Sequence, residues 1–371
     1  MHRELLAWYA AEKRSLPWRD NPTPYNVWVS EVMAQQTRMV QLLPFYERFM
    51  ARFPTLDDLG NCDLDEVLSV FAGMGYYARA RNLHVAARII LEKYDGKRSG
   101  KAPSRMGWPQ TREAWEALPG VGPYTAGAIM SIAFGQREAA VDGNVLRLAA
   151  RLTDDDTDIS TPLAKKHAAD YVTSLMSAIP ANDPTLSPGA LTQALMELGS
   201  LICTPTNPRC EICPIPVYCR ARINGRERAL PVKAKKKPSP VIPVTVLLIY
   251  SPEGRVLMKR RTEGLLKGMW VYYLIEGDAD VTSDLIGPKL ESMGYTSAQI
   301  ERKNIARHTF THRIWDMTCY EVHVKENHAI EDYRFITPDE MVGIALPAAM
   351  KYFTHRGERY APKQIPRGDG K

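Results

Sequence analysis

A short stretch of glycines and prolines between two helical segments constrains the fold of this chain more than any other feature of its sequence. Leu118–Tyr124 reads LPGVGPY. The prolines can end one helix and open the next, predicted over 124–134, while Gly120 and Gly122 permit a tight turn with positive φ. The N–H groups at such a helix start can bind an anion, and a DNA phosphate would fit. The alternative is a plain helical hairpin without a ligand.

A carboxylate on a largely apolar helical face is found nearer the start of the chain. A helix is predicted from Val27 to about Phe49, and Glu31 lies on it. Its neighbours one turn away are Val27, Trp28, Ala34 and Gln35. Removal from water disfavours the charged form, so this site would raise the Glu31 pKa and let the residue act as a general acid near neutral pH. The alternative is a boundary glutamate that reaches solvent.

A second carboxylate follows the hairpin. Asp142 precedes Gly143 and Asn144 at the start of another predicted helix, VLRLAARL. An aspartate in this position usually caps the helix, and that is its simplest interpretation. A partner carboxylate in the same site would indicate a catalytic role instead.

Four of the six cysteines are close together in sequence. Cys203, Cys210, Cys213 and Cys219 follow a C-x6-C-x2-C-x5-C spacing. Such a group indicates metal ligation rather than disulfides, and four thiolates suit either zinc or a [4Fe–4S] cluster. The single C-x2-C between longer gaps favours a cluster. Cys62 and Cys319 are isolated and are expected to be ordinary buried thiols.

The chain changes from helical to strand-rich patterns along its length. Apolar residues recur at spacings of three and four over 1–225, which predicts an all-α domain. A basic, proline-containing linker is expected over 226–240, an α+β domain over 241–355 and a polar tail over 356–371. In the second domain we predict four strands and one helix: Val244–Tyr250, Arg255–Arg260, Trp270–Ile275, Trp315–Val324 and Ser283–Met293.

Composition narrows the possible partners. No apolar run reaches the roughly 18 residues of a membrane span, and the first residues lack a signal-peptide core. A formal net charge of +6 is compatible with a polyanion. We therefore expect a monomeric cytoplasmic protein, nucleoid-associated in a bacterium, with no membrane partner.

Six motifs together, in their order along the chain, resemble those of the MutY-type adenine DNA glycosylases. They are LPWR at 16–19, VSEVMAQQT at 29–37, GMGYYARARN at 73–82, LPGVGPYT at 118–125, VDGNV at 141–145 and the cysteine spacing. The family belongs to the helix-hairpin-helix DNA glycosylases and removes adenine mispaired with 8-oxoguanine by hydrolysing the N-glycosidic bond. The resemblance implies a glycosylase domain with a [4Fe–4S] loop, followed by a Nudix-like domain, and double-stranded DNA containing A opposite 8-oxoguanine or G as partner.

The resemblance also implies roles for individual residues. Glu31 would protonate the departing adenine and Asp142 would stabilise the oxocarbenium ion, with Tyr124 and Asn144 supporting them. The adenine pocket would consist of Arg14, Leu16, Trp18 and Gln193. DNA would be contacted by Gln36, Thr37, Tyr76, Gly120 and Gly122, of which Gln36, Thr37 and Tyr76 would face the strand opposite adenine. The cluster would be bound by Cys203, Cys210, Cys213 and Cys219, and 8-oxoguanine would be read by Phe310, Thr311 and His312.

Three departures from the family pattern carry expectations of their own. Ala34 stands where the family often has leucine, so the pocket wall would be thinner. Thr311 replaces a serine, which keeps the hydroxyl and adds a methyl group. The segment LIGPKLESMGY contains only Glu291 in place of the Nudix metal-binding glutamates, so we expect recognition there without pyrophosphate hydrolysis.

Two alternatives stay open at this point. An endonuclease III-like glycosylase/lyase shares the hairpin, the aspartate and the cluster, but it needs a lysine amine where Tyr124 stands. A non-catalytic DNA-binding iron–sulfur protein would need neither Glu31 nor Asp142.

Overall fold

The structure is a computed structural model that describes residues 1–35, 37, 39–94, 107–180, 183, 186–234, 238–277, 283–296, 298–344 and 346–354. The chain divides into two compact units, Met1–Lys235 and Lys236–Lys371. The fold class predicted from the sequence, an all-α part followed by an α+β part, is confirmed. Gln36 and the predicted tail over 356–371 lie outside the described residues.

The first unit is built from thirteen α-helices in its described residues. They are α1 (His2–Glu12), α2 (Pro17–Asp20), α3 (Pro24–Ala34), α4 (Met39–Arg52), α5 (Leu56–Asn61), α6 (Leu64–Val70), α7 (Ala78–Lys93), α8 (Arg112–Glu116), α9 (Pro123–Ile132), α10 (Gly143–Thr153), α11 (Pro162–Ser177), α12 (Pro188–Leu201) and α13 (Arg220–Ile223). Two 3-10 turns, Cys210–Ile212 and Pro216–Tyr218, lie between α12 and α13.

The helices of the first unit bury two apolar clusters. One contains Trp28 of α3 and Ile129 of α9, and the other contains Leu148 of α10 and Leu198 of α12. Elements of both clusters line one deep cleft. The fold therefore brings α3 and α9 to the same cleft as α10 and α12, although these helices are far apart in sequence.

The predicted single helix from Val27 to Phe49 is wrong. α3 ends at Ala34, where the following Gln35 adopts ψ 117°, and α4 begins at Met39. The buried guanidinium of Arg79 donates to the carbonyls of Val32 and Met33 at the end of α3. This cap comes from a distant part of the chain, so local periodicity gave no sign of the break.

The second unit contains a seven-stranded mixed sheet in its described residues, in the order β3-β2-β1-β6-β5, with β4 paired to β1 and β7 to β2. The strands are β1 (Val241–Tyr250), β2 (Val256–Arg260), β3 (Trp270–Val271), β4 (Tyr273–Glu276), β5 (Ala298–Thr309), β6 (Ile314–Val324) and β7 (Tyr333–Ile336). Its helices are α14 (Ser283–Ser292), α15 (Pro338–Gly343) and α16 (Ala348–Lys351). The central strands β1 and β6 run parallel.

Both faces of this sheet are covered. Val246 and Leu248 of β1 pack with Met350 of α16, whereas Leu247 and Ile249 pack with residues of α14 such as Ile286. A strand buried on both faces reads as a continuous apolar run, which is why β1 was recognisable in sequence.

Several predicted boundaries differ from the observed ones. The strand predicted over Trp270–Ile275 is divided into β3 and β4, and neither β5 nor β7 was predicted. The start of the predicted linker over 226–240 packs on the first unit, where Leu230 is buried and the Ile159 N–H donates to the Val232 carbonyl.

Candidate active site

Glu31 and Tyr124 meet inside the cleft. Glu31 is buried on α3, and Pro123 opens α9 so that Tyr124 occupies its first turn. The Tyr124 hydroxyl donates a hydrogen bond to Glu31 Oε2. The Glu31 pKa is raised to about 7, mainly by burial. The charge of Asp142 also raises this pKa, whereas the hydrogen bond from Tyr124 lowers it. A carboxyl group with this pKa can hold and deliver a proton near neutral pH.

Asp142 is the N-cap residue of α10, and it lines the same cleft as Glu31. Its Oδ1 accepts hydrogen bonds from the backbone N–H of Asn144 at 3.0 Å and of Val145 at 2.7 Å. Burial raises the Asp142 pKa, and these donors oppose the rise because they stabilise the ionised form. The residue thus caps the helix and is also oriented within the cleft, so capping and a function beside Glu31 are compatible.

Asn144 and Arg147 fix the other side of the Asp142 carboxylate. Asn144 Nδ2 donates to Asp142 Oδ2 at 2.8 Å, and Arg147 Nη2 donates to Asn144 Oδ1 at 2.9 Å. Gly199 lets α12 and α10 approach each other here, since a Cβ at position 199 would lie 2.8 Å from Asn144 Cβ. The asparagine is therefore held with its amide N–H toward the aspartate.

The four residues expected to form a base pocket, Arg14, Leu16, Trp18 and Gln193, all line the cleft, which has a volume of about 1470 Å³. Ala34 lines it as well.

The sequence reasoning missed Glu197. It lies on the cleft wall one turn after Gln193, completely buried, and pairs with Arg14 Nη2 at 2.7 Å and Arg19 Nη2 at 2.8 Å. Burial alone would raise the Glu197 pKa, but the hydrogen bonds from both arginines outweigh it and lower the pKa to about 2. A single glutamate in the apolar helix TQALMELGSL was the available signal, of the same kind as for Glu31.

The glycine-rich turn before α9 differs from its prediction at one position. Gly120 has the expected positive φ of 79°, and a Cβ there would lie 2.8 Å from Asn82 Cβ. Gly122 has φ −102° and is extended, so the prediction of positive φ at this residue is wrong. It is the N-cap of α9 and offers no side chain to the first N–H groups of that helix.

The predicted DNA-contacting residues lie in different places. Thr37 lines the cleft, between α3 and α4. Tyr76 is 48% exposed, has a φ of 52° and is not among the described residues that line the cleft.

Cys203, Cys210, Cys213 and Cys219 surround one small cavity beside α10. Arg151, which is almost fully buried, donates to Cys203 Sγ at 3.2 Å and to the Thr204 carbonyl at 2.7 Å. Among the described residues, no group of three or more His, Cys, Asp or Glu side chains is placed to bind one metal ion.

In the second unit, Phe310, Thr311 and His312 form the turn between β5 and β6. The turn is closed by the Phe310 N–H, which donates to the Arg313 carbonyl at 2.8 Å. The Phe310 ring packs edge-on against Trp315, with 5.0 Å between centroids, while Thr311 and His312 are exposed. The phenylalanine anchors the turn and leaves two polar side chains facing solvent.

No helix in the described part of the chain combines the length and apolar character of a bilayer span.

Family models match most of the two units. Residues 29–173 match the HhH-GPD superfamily of base excision DNA repair proteins, and residues 245–356 match the NUDIX domain.

Individual relatives give the same assignment. The chain is 42% identical over 241 residues to an adenine DNA glycosylase of Rattus norvegicus, which covers 62% of this chain and 43% of the rat protein. It is 30% identical over 323 residues to an adenine DNA glycosylase of Buchnera aphidicola, which covers 86% of this chain and 84% of that protein. The chain thus spans less than half the length of the rat relative and most of the bacterial one. A solved thermostable thymine-DNA glycosylase, with a TM-score of 0.50 and 24% identity, covers 60% of this chain and 94% of its own, and it shares the fold.

Proposed function

The chain belongs to the adenine DNA glycosylase family, and from this premise we propose that it flips adenine opposite 8-oxoguanine or G out of double-stranded DNA and hydrolyses its N-glycosidic bond. The observation that carries the proposal is the pair of cleft carboxylates, in which Glu31 has a pKa raised to about 7 and is hydrogen-bonded by Tyr124. Flipping is required because the reacting bond is inaccessible within the base stack.

The chemistry assigns a different task to each carboxylate. Adenine is a poor leaving group as an anion, so it departs after accepting a proton, and Glu31 supplies that proton from its neutral form. The sugar then develops positive charge, which the ionised Asp142 stabilises from a fixed orientation. Asn144 and the N–H groups at the start of α10 hold Asp142 in that orientation and favour its ionised form. Water completes the hydrolysis.

We propose that the enzyme is monofunctional and leaves the abasic strand intact. A lyase forms a Schiff base through a lysine amine. Here the residue in contact with Glu31 is Tyr124, whose hydroxyl cannot form one. Lys165 and Lys166 also line the cleft, but both are exposed on α11, and Lys166 pairs with Asp170 at 2.8 Å.

We propose that the four cysteines hold a [4Fe–4S] cluster. Their thiolates would provide one ligand for each iron, and they surround a single cavity in which the Arg151 guanidinium donates to Cys203 Sγ. When bound, the cluster would brace the loop between α12 and α13.

DNA phosphate would be held by the N–H groups at the start of α9.

We assign recognition of the base opposite adenine to the turn Phe310–His312. The Thr311 hydroxyl can both donate and accept a hydrogen bond, so it can donate to O8 of 8-oxoguanine and accept from N7–H. Its exposure, on a turn anchored by Phe310 against Trp315, supports this assignment.

A single-turnover assay tests the proposal on three duplexes, which carry A opposite 8-oxoguanine, A opposite G, and thymine glycol. We expect adenine release from the first two, fastest from the first, with strand breakage only after alkali. Efficient borohydride trapping of a protein–DNA adduct would contradict monofunctional chemistry. Release of thymine glycol without release of adenine would contradict the proposal that adenine is the substrate base.

A further inference from the structure

The guanidinium of Arg79 connects two separate parts of the first unit. Arg79 is 7% exposed, on the first turn of α7. On one side it reaches the end of α3, where Nη1 lies 3.2 Å from the Val32 carbonyl and 2.8 Å from the Met33 carbonyl and also donates to the Gln35 carbonyl. Both terminal nitrogens lie 3.4 Å from Thr37 Oγ1.

On its other side, Arg79 contacts the turn that precedes α7. Nη2 lies 3.4 Å from the Gly75 carbonyl, and the guanidinium lies 5.3 Å from the centre of the Tyr76 ring. The Arg79 backbone N–H also donates to the Tyr76 carbonyl at 2.9 Å. Tyr76 has a φ of 52°, a left-handed conformation that tyrosine rarely adopts without support from its surroundings.

The acceptors around this guanidinium are unusual for a buried charge. Among the described residues they are carbonyl and hydroxyl oxygens, and no carboxylate pairs with Arg79. The last carbonyls of a helix have no following turn to accept from and carry partial negative charge, so they can stabilise a cation. A planar guanidinium with five donors can serve acceptors on two segments at once, whereas a lysine ammonium has three donors on one atom.

We propose that Arg79 is a positioning residue that holds Thr37 and the end of α3 in one arrangement with the Gly75–Tyr76 turn, and thereby sets the preference of the protein for mispaired over fully paired DNA. The inference rests on the proposed function and on the resemblance, which implies that Thr37 and Tyr76 face the strand opposite adenine. Arg79 itself is buried and touches neither the base nor the reacting atoms. Its side chain donates to the backbone of Val32 and Met33, next to Glu31, and not to either carboxylate, so we expect its main effect to be on binding.

The test compares Arg79→Lys with Arg88→Lys, an exposed position on the same helix. The dissociation constant is measured for a duplex with A opposite 8-oxoguanine and for a fully paired duplex of the same length, in a Glu31→Gln background that prevents turnover. The binding ratio is the dissociation constant for the fully paired duplex divided by that for the mispaired duplex. Arg79→Lys should reduce this ratio roughly tenfold, as expected when hydrogen bonds from a charged group are lost. Arg88→Lys should leave the ratio unchanged. The single-turnover rate at saturating protein, measured with Glu31 present, should change by less than about threefold, because Arg79 does not contact the carboxylates.

A second background tests whether Arg79 acts through these two segments. In Thr37→Val/Tyr76→Leu, the further change Arg79→Lys should have little effect on the binding ratio. A full effect in this background would overturn the proposal, as would an unchanged ratio for folded Arg79→Lys in the native background. Adenine release by the unmodified protein is measured in parallel, so that failure of the proposed function is recognised separately.

A measurement that leaves Arg79 intact covers the case in which its variants do not fold. Hydrogen exchange in Thr37→Val should be faster at residues 75–77 as well as near Thr37, and exchange in Tyr76→Leu should be faster near Thr37 as well as at 75–77. If each variant affects only its own segment, Arg79 does not couple them.

Discussion

The Tyr124 hydroxyl donates a hydrogen bond to the Glu31 carboxylate, although the two residues are 93 positions apart in the chain. The contact forms because α3 and α9 pack in the same apolar cluster and point these side chains into the cleft. Burial makes the Glu31 carboxyl a weaker acid by raising its pKa, and the tyrosine partly offsets that rise by stabilising the ionised form. The balance between the two contributions sets the pH range in which Glu31 can deliver a proton.

The rate of adenine release should fall as pH rises through about 7, the pKa of Glu31. A general acid is active in its protonated form, which is populated below its pKa and lost above it, so the alkaline side should decline about tenfold per pH unit. Asp142 must be ionised, and its pKa is raised above the ordinary value, so an acid limb is expected at low pH. Single-turnover rates across the pH range provide the measurement. A rate that stays constant well above neutral pH would rule out Glu31 as the acid.

Tyr124→Phe should move the alkaline limb to higher pH. The hydroxyl lowers the Glu31 pKa, so its removal lets burial raise that pKa further, by about one pH unit for the loss of one hydrogen bond to a charged group. Tyr94→Phe, at the end of α7, is the matched control and should leave the profile unchanged. A limb that moves to lower pH would mean that the hydrogen bond has been assigned the wrong effect.

The sequence predicted the carboxylates better than it predicted their surroundings. Glu31 was identified from an apolar helical face, and its burial in the structure agrees with that prediction. The Arg14–Glu197–Arg19 network was missed because Glu197 is 183 residues from Arg14 and 178 residues from Arg19, so it meets the two arginines only after the chain has folded. β5 was missed for a different reason: it is mostly exposed, with buried Ala306 an exception, so it lacks the alternation by which a half-buried strand is recognised.

The four cysteines should make the purified protein brown, with broad visible absorption and iron in place of zinc. Cys→Ser at 203, 210, 213 or 219 should reduce iron content and impair DNA binding or folding more than the chemistry, because these residues hold a loop. Cys62→Ser serves as control, since its thiol donates to the Leu59 carbonyl. Elemental analysis that finds one zinc and no iron in anaerobically prepared protein would contradict the cluster.

Replacement of Phe310, Thr311 and His312 together by alanine should lower the preference for 8-oxoguanine over G while activity on A opposite G persists. The loss of one hydrogen-bonding contact costs about 0.5–1.5 kcal/mol, which corresponds to roughly 2- to 13-fold in rate or affinity. Thr311→Ser should be nearly neutral because it keeps the hydroxyl. Lys289→Ala on α14 provides an exposed control in the same unit. Equal preference in the triple variant and the unmodified protein would show that this turn does not read the lesion.

The central claim, that Glu31 is the acid that protonates the departing adenine, is tested most directly by Glu31→Gln. Single-turnover release of adenine opposite 8-oxoguanine is compared in Glu31→Gln and in Glu92→Gln, an exposed position on α7. We predict that Glu31→Gln lowers the rate by about 10²- to 10⁴-fold, the usual contribution of a general acid, while the protein stays folded and binds the same duplex. Glu92→Gln should match the unmodified protein. A Glu31→Gln variant that binds DNA and releases adenine at a near-normal rate would contradict the account.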